Sequence, residues 1–504
     1  MPWQIHESAL MINACLLMPG GRQMKLDRLS ALDETYVVAE TDEAPLHIGA
    51  LALFSGRTLL NEHGHLRLTA LRLHMENRLV EVPRFRRRLE RNPLDGGHFF
   101  WTDDESFDIA NHVHTMTLPP RGRSRRSEER RLLDFCAELV RPRLDRSKPL
   151  WEVTFVTGLR GNRVALVEKV HHALVDGVGG VGVLNVLLEH DRTTNEPDRN
   201  AKVDDAGWEP EAVHFFDLAK DAVAQRLRSF EGVVDLVASP VHAVQSAVAM
   251  VDGVATFLAG GVIAPRCSLR AQIGAERTFH ICRLSLSDVK IVKTVSHTTV
   301  NDVVLATMTG ALRTFLLERG DRVDDLTLQA LIPVNIRSTQ DTQVQGNRTA
   351  LLQAPLPLGV VDPIDQLRTV AAAMDTRKGH HQAAATGAAL SLAALVPTIA
   401  LGPLSHAIID HQHIANLLIT NVPGPTEPLY LLGAQMIDTF GFAPLAGMMT
   451  VSVAVTSYTD HLTFGINADS VHCPDGAVLA AAITKSFAQL HAALVPVIVP
   501  DERR

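Results

Sequence analysis

The chain has 504 residues, of which 46% are hydrophobic and 21% are charged, and this balance is typical of a globular protein rather than a disordered one. A chain of this length exceeds a single typical core, so we expect two domains. The net charge of −8 argues against bulk binding to nucleic acid, and the aromatic content of 5% argues against a platform that stacks single-stranded bases.

Cysteine and histidine usage bears on redox state and on metals. The cysteines are odd in number and none forms a Cys-x-x-Cys pair, which indicates reduced thiols in a cytoplasmic-type compartment. The pairs His380-His381 and His411-x-His413 lack further ligands at metal-binding spacing. We therefore predict no metal site.

The N-terminal residues are not typical of a secretory signal. They carry Glu7 and lack a basic region ahead of a short apolar run. We expect residues 1–23 to be a disordered extension.

Four segments bear on contact with membranes. Residues 383–405 have no charge and are long enough to span a bilayer, but glycine, serine and proline interrupt them, which favours a buried or surface-lying helix pair. Residues 233–264 are weakly charged and rich in alanine and valine. Two arginine-rich runs, 84–91 and 121–131, predict either solvated helix faces or surfaces that attract anionic lipid headgroups or a phosphorylated substrate.

The pattern along the chain is bipartite. The polar, proline-containing residues 191–211 predict a linker, and helical patterns follow to about residue 258. A second region of strands and helices begins near residue 278. Its predicted strands are 326–334, 350–356, 416–422, 448–457 and 462–467, and the last two are joined by a hairpin turn at 458–461.

The segment His171 to Gly177 (HHALVDG) is the most informative part of the sequence. It follows the apolar, β-rich run 164–170, and a glycine-rich turn and a helical pattern come after it. An imidazole at the end of a rigid strand, with a pKa near the working pH, suits a general base, and Asp176 can brace the turn. The alternative is a buried histidine pair beside a helix-capping aspartate.

Several further blocks occur in a characteristic order. They are Leu29 to Asp33, Pro45 to Gly49, 144–151 with Pro149-Leu150-Trp151, Pro265-Arg266, Thr299 to Asp302, 333–337, Gly346-Asn347, Asn421 to Pro425 and Ser457-Tyr458. Together with the HHxxxDG motif, their order and spacing resemble the bacterial wax ester synthase / acyl-CoA:diacylglycerol acyltransferase family, from about residue 24 to residue 495.

The resemblance implies an α/β fold of the chloramphenicol acetyltransferase-like superfamily. Such a protein has two similar domains, each a mixed β-sheet flanked by helices, with a substrate tunnel between them. We expect an N-terminal acyltransferase domain at 24–190, a linker and helical crossover at 191–265, and a C-terminal acyltransferase-like domain at 266–504.

The resemblance also implies an O-acyltransferase. It would move a long-chain acyl group from acyl-CoA, its co-substrate, to diacylglycerol or to a long-chain fatty alcohol, with no cofactor and no covalent enzyme intermediate. We expect a cytoplasmic protein attached peripherally to the inner face of the plasma membrane or to lipid droplets. The alternatives are an acyltransferase that uses another alcohol or a carrier-bound donor, and a non-catalytic lipid-binding relative. The intact histidine and aspartate argue against the last.

The same resemblance assigns roles within the HHxxxDG motif. His172 would be the general base and His171 its support, while Asp176, followed by Gly177, would brace the turn in an ion pair. Arg337, which precedes Gly346 and Asn347, is the predicted partner of Asp176.

The roles of the remaining site residues stay open at this stage. Either Thr450 or Ser452 is a candidate donor to the tetrahedral oxyanion. Pro149, Leu150 and Trp151 either shape the channel or mark the start of a strand with a core tryptophan. Three further predictions concern the tunnel: Asn301 lines it or caps a helix that begins at Asp302, Gly346 and Asn347 belong to its wall, and Asn421 to Pro425 form a rigid loop at its mouth.

Overall fold

The computed structural model describes residues 26–119, 125–174, 187–192, 215–223, 263–335, 349–379 and 414–495, together with residues 184 and 213. Several predictions concern residues outside these ranges. They are the N-terminal extension 1–23, most of the linker and crossover, the apolar segment 383–405, and the site residues Asp176, Gly177, Arg337, Gly346 and Asn347.

The N-terminal half contains three helices and seven strands in its described residues. The helices are α1 (Ala31–Ala39), α2 (Leu68–Leu79) and α3 (Arg125–Val140). The strands are β1 (Asp27–Arg28), β2 (His47–Phe54), β3 (Arg87–Arg91), β4 (Phe99–Asp103), β5 (Val113–Thr117), β6 (Trp151–Thr157) and β7 (Val164–His171).

The C-terminal half contains four helices and eight strands in its described residues. The helices are α4 (Leu286–Ser296), α5 (Val300–Glu318), α6 (Pro363–Gly379) and α7 (Gly476–Leu494). The strands are β8 (Arg277–Ser285), β9 (Thr327–Asn335), β10 (Thr349–Pro357), β11 (Leu417–Val422), β12 (Tyr430–Leu431), β13 (Ala434–Phe442), β14 (Val451–Tyr458) and β15 (His461–Asp469).

Two mixed six-stranded sheets organise the protein. The first has the strand order β12-β13-β2-β7-β6-β5, and the second has the order β10-β9-β11-β14-β15-β8. Helices α5 and α7 pack together beside the second sheet, and their apolar residues join its strands in one core. This architecture confirms the predicted α/β class with mixed sheets and flanking helices.

The C-terminal half contributes two strands to the N-terminal sheet. Although β12 and β13 belong to the C-terminal half of the sequence, β13 pairs antiparallel with β2 and so completes the N-terminal sheet. The predicted division at residue 266 does not anticipate this contribution. Where β13 passes the second sheet the backbones nearly touch, because a Cβ on Gly465 would lie 1.9 Å from the carbonyl oxygen of Gly441.

Side-chain contacts also join the two sheets. The rings of Phe279 on β8 and Phe442 on β13 stack with centroids 4.0 Å apart. At the surface, Arg141, the residue after α3, pairs across the two halves with Glu276 at 2.6 Å.

The five strands predicted in the C-terminal half are observed with small shifts at their ends. The predicted hairpin is also confirmed, because Tyr458 pairs with His461 and the two residues between them form the turn. Thr459 there has a φ of 49°, which is the left-handed conformation that such turns require.

The arginine-rich run 84–91 does not form the predicted helix face. It forms a 3-10 turn followed by β3, and its charges are used within the protein. Arg84 and Arg87 both pair with Asp27 at 3.0 Å, and Arg87 also pairs with Asp103 at 2.8 Å. This part of the chain therefore gives little support to a basic surface for lipid headgroups.

Two of the described helices, α5 and α7, are long and apolar enough to cross a membrane when judged by length and composition alone. Of the 18-residue apolar segment in each helix, 67% is buried inside the protein in α5 and 39% in α7. Because both helices pack into the core of the second sheet, we assign them as core helices.

Candidate active site

The histidine pair lies at the end of β7, a strand whose eight residues are all buried. Neighbouring strands hold this end on both sides. The backbone N–H of His171 donates to the carbonyl of Leu150 at 3.0 Å, and the N–H of His172 donates to the carbonyl of Leu46 at 3.0 Å. The register of β2, β7 and β6 thus brings together three sequence blocks: Pro45 to Gly49, Pro149 to Trp151, and the HHxxxDG motif.

His172 is partly buried, and its imidazole stacks on the ring of Tyr36 with centroids 4.0 Å apart and an angle of 26° between the planes. Burial lowers its pKa to about 4. The motif alone predicts a pKa near the working pH. The structure instead gives an imidazole that is neutral throughout the physiological range, and therefore able to accept a proton there.

His171 is fully buried, with a side-chain exposure of 1%. Its Nδ1 accepts a hydrogen bond from the backbone N–H of Ala173 at 3.1 Å. Burial holds its pKa well below the ordinary value, with positive charge on Arg146 acting in the same direction. The ring is therefore neutral and carries its proton on Nε2, which excludes His171 from proton transfer through Nδ1.

Trp151 is a core residue, as one of the two sequence interpretations proposed. Its indole N–H donates to the carbonyl of Phe85 at 2.8 Å, and its ring stacks on His112 with centroids 4.6 Å apart. Trp151 begins β6, and Pro149 and Leu150 precede it. The block therefore holds His171 through the Leu150 carbonyl and places the Trp151 ring in the core.

The prediction that Asn301 caps a helix is wrong. Thr299 is the N-cap of α5, and a capping box forms because the Thr299 side chain accepts from the N–H of Asp302 at 3.2 Å while the Asp302 carboxylate accepts from the N–H of Thr299 at 2.9 Å. Asn301 lies within the first turn, and its Oδ1 accepts a hydrogen bond from Asn421 at 3.4 Å. Two residues predicted for the tunnel are thus in contact.

Asn421 and Val422 end β11, and hydrogen bonds anchor the residues that follow, while the predicted place of this segment at a tunnel mouth stays a prediction. The N–H of Gly424 donates to the hydroxyl of Ser457 at 2.9 Å, and Pro425 accepts from the N–H of Thr459 at 3.0 Å. A Cβ on Gly424 would lie 2.0 Å from the Ser457 carbonyl oxygen, so only glycine fits. The blocks at 421–425 and 457–458 therefore form one unit.

Thr450 and Ser452 do not suit the predicted role of oxyanion donor. Both are buried, and each hydroxyl donates at 2.7 Å to a backbone carbonyl, that of Leu269 for Thr450 and that of Ala443 for Ser452. The proton of each hydroxyl is therefore already in a hydrogen bond, and the prediction that one of these residues donates to the oxyanion is corrected.

A small cleft of about 20 Å³, which is room for about one water molecule, lies between residues of the two halves, and neither His171 nor His172 lines it. His47, which lies opposite His171 in the β2–β7 ladder, contributes to its wall. The other lining residues are Pro45, Ala137, Val140, Arg141, Arg277, Phe279, Phe442, Pro444, Leu445 and Asn467.

Within the described ranges, no group of three or more histidine, cysteine, aspartate or glutamate residues is arranged to hold a metal ion. The four cysteines of these ranges, Cys136, Cys267, Cys282 and Cys473, are unpaired.

Comparison with family models identifies the chain. Residues 29–304 match the wax ester synthase/diacylglycerol acyltransferase catalytic domain, and residues 345–491 match the C-terminal domain of the same family. The chain belongs to the wax ester synthase/diacylglycerol acyltransferase family. It is therefore an acyltransferase, as its sequence blocks predicted.

Curated relatives agree over nearly the whole length. A probable diacylglycerol O-acyltransferase of Mycobacterium tuberculosis H37Rv is 30% identical over 92% of this chain and 96% of its own length. A second putative diacylglycerol O-acyltransferase of that strain is 32% identical over 87% of this chain and 93% of its own. The O-acyltransferase WSD of Acinetobacter baylyi is 27% identical over 87% of this chain and 91% of its own length.

Solved structures support the fold. The wax ester synthase/diacylglycerol acyltransferase of Marinobacter aquaeolei VT8 aligns with a TM-score of 0.61 and 24% identity, over 93% of this chain and 99% of that one. A trichothecene 15-O-acetyltransferase of Fusarium sporotrichioides aligns with a TM-score of 0.55 and 11% identity, over 93% of this chain and 94% of that one. These similarities confirm the two-domain acyltransferase fold.

Proposed function

We propose that this member of the family transfers a long-chain acyl group from acyl-CoA to the free hydroxyl of diacylglycerol, with long-chain fatty alcohol as a second acceptor, and that His172 is the general base. The observation that carries the base assignment is a neutral, partly accessible imidazole held at a strand end. The mycobacterial relatives are named as diacylglycerol O-acyltransferases and the matching family includes wax ester synthases, which supports the two acceptors.

The proposed reaction needs no covalent enzyme intermediate. The unprotonated nitrogen of His172 takes the proton from the acceptor hydroxyl while its oxygen attacks the thioester carbonyl. The tetrahedral intermediate then collapses, the carbon–sulfur bond breaks, and the imidazolium returns its proton to the CoA thiolate. The products are the new ester and free CoA.

We also propose that the protein works from the cytoplasm at the inner face of the plasma membrane or at lipid droplets. The proposed acceptors are water-insoluble, so the enzyme must meet them at a lipid surface. Co-flotation of the purified protein with anionic liposomes would support this attachment, and recovery only in the soluble fraction would contradict it.

The test of the activity is release of CoA by the purified protein with palmitoyl-CoA and either dioleoylglycerol or hexadecanol, with the lipid product identified. We expect turnover in the wild type and a loss of about 10²–10⁴-fold in a folded His172→Ala variant, which is the usual contribution of a general base. Turnover with neither acceptor would overturn the proposed lipid substrates. Full activity of His172→Ala would overturn the assignment of the base.

A further inference from the structure

Helix α1 lies against the histidine pair with two side chains that are one helical turn apart. Tyr36 stacks on His172, and Glu40, the C-cap residue of the helix, faces His171. No sequence motif marks either residue.

Glu40 is a buried carboxylate, with a side-chain exposure of 1%. Its Oε2 accepts from Arg146 at 2.9 Å, and its Oε1 accepts from the backbone N–H of Leu46 at 3.3 Å. The carbonyl of the same Leu46 holds the N–H of His172. The Glu40 carboxylate is therefore linked to the backbone of His172 through a single residue.

The same carboxylate also faces His171. Its Oε1 lies 3.7 Å from Nε2 of His171, the nitrogen that carries the proton in the neutral ring. That N–H makes no hydrogen bond within the described residues. A negative charge at this distance favours the tautomer with the proton on Nε2, and so keeps the accepting Nδ1 on the Ala173 N–H.

We propose that Tyr36 and Glu40 are positioning residues for the catalytic histidine. Tyr36 fixes the plane of the His172 ring by stacking, and Glu40, clamped by Arg146, fixes the backbone and the tautomer of the histidine pair. This inference rests on the proposed function of His172 as the base.

The physical reason for such a device is the narrow geometry of proton transfer. A general base must lie within hydrogen-bond reach of the acceptor hydroxyl, and a displacement of about 1 Å can cost about 100-fold in rate. Because β7 ends at the histidine pair, no further strand pairing holds the backbone beyond it. A stacked ring on one face and a fixed backbone N–H remove the two remaining freedoms, which are rotation of the ring and drift of the turn.

The test measures kcat and KM for CoA release with palmitoyl-CoA and dioleoylglycerol, together with the melting temperature. Tyr36→Leu removes the ring, and we expect kcat to fall roughly 10–100-fold with KM nearly unchanged. Tyr36→Phe keeps the stack, and we expect it to retain kcat within about threefold. Glu40→Gln removes the charge, and we expect kcat to fall about tenfold.

Glu34→Gln is the matched control for Glu40→Gln. Glu34 is a buried carboxylate on the same helix that also contacts a histidine, His98 at 2.8 Å, but it lies away from the pair. We expect it to lower the melting temperature and leave kcat unchanged. If Glu40→Gln does not fold, Arg146→Lys replaces it, because this variant keeps the charge and loses Nη2, the guanidinium nitrogen that donates to both the Glu40 carboxylate and the Val37 carbonyl.

The outcomes separate the two proposals. Tyr36→Leu and Glu40→Gln proteins that fold and keep wild-type kcat, with His172→Ala inactive, would overturn the positioning role alone, and so would an equal loss of kcat in Glu34→Gln. Full kcat in Arg146→Lys would overturn the role of the Glu40 clamp. Turnover that survives in His172→Ala would overturn the base and, with it, the positioning role.

Discussion

His47 lies directly opposite His171 in the antiparallel pair of β2 and β7, and both imidazoles are buried in the protein. Burial lowers the pKa of His47 to about 3, and Lys169 acts in the same direction. Protonation of either ring in the folded protein has a large free-energy cost, whereas both rings take up protons near pH 6.5 when the protein unfolds.

Stability should therefore fall as the pH is lowered. The folded pKa of each histidine lies below its unfolded value, so its contribution is fully present above pH 6.5 and is lost progressively as the pH falls, for His47 toward its folded pKa of about 3. Each buried histidine adds a slope of up to about 1.4 kcal/mol per pH unit. Urea unfolding between pH 7 and pH 5 measures how the free energy of unfolding changes with pH. His47→Gln should reduce this slope by the contribution of one proton, which is up to about 1.4 kcal/mol per pH unit. Identical slopes in the two proteins would contradict the assignment.

The pH dependence of kcat/KM should report the base. Because burial lowers the pKa of His172 to about 4, kcat/KM should remain level from about pH 8 to pH 5 and fall below that. Circular dichroism at each pH distinguishes protonation of the base from unfolding. An acid limb at the ordinary histidine value of about 6.5 would show that His172 is less buried in the working enzyme.

Replacement of Trp151 should affect stability more than chemistry. Trp151→Phe removes the hydrogen bond to the Phe85 carbonyl and leaves a small cavity, and we expect a loss of about 2 kcal/mol in the free energy of unfolding. The folded variant should keep the acyl-chain preference of the wild type. A changed chain-length profile at unchanged stability would instead favour a role in the channel.

Removal of the buried hydroxyls of Thr450 and Ser452 should spare catalysis. Loss of an oxyanion donor costs about 100–1000-fold in kcat, whereas these hydroxyls donate to backbone carbonyls. We therefore expect Thr450→Val and Ser452→Ala to keep kcat within about threefold, with a loss of about 1 kcal/mol in stability. A drop of 100-fold in either folded variant would restore the original assignment.

Gly424→Ala should displace the loop at 421–425, because the new methyl group would overlap the Ser457 carbonyl oxygen. We expect a loss of about 1–3 kcal/mol in stability. Gly274→Ala is the control, since its added Cβ would meet its nearest atom, on Asp469, at an ordinary 3.6 Å. Equal stability of the two variants would argue that the loop yields easily.

The parts of the fold that follow from local sequence could be predicted. The run 164–170 became β7, and the turn at Thr459 and Asp460 formed the expected hairpin. The cap of α5 was misassigned although its signal was present, because Thr299 followed three residues later by Asp302 is a capping-box pattern.

Other features depend on tertiary structure and could not be predicted. That Leu46 and Leu150 hold the two histidines from opposite sides follows from the register of three strands that are distant in sequence. Similarly, Tyr36 and Glu40 reach the site only because α1 docks there. The commitment of the Thr450 hydroxyl to Leu269 became visible only with the structure.

The pairing of β2 with a C-terminal strand sets the order of events during synthesis. Strand β2 ends at Phe54, but its neighbour β13 begins only at Ala434, so at about 5–20 residues per second the ribosome needs roughly 20–80 seconds to supply it. During that interval an apolar strand next to the HHxxxDG motif has a free edge that could pair with another nascent chain. The newly made enzyme should therefore depend on chaperones, and its two halves should not fold when expressed separately.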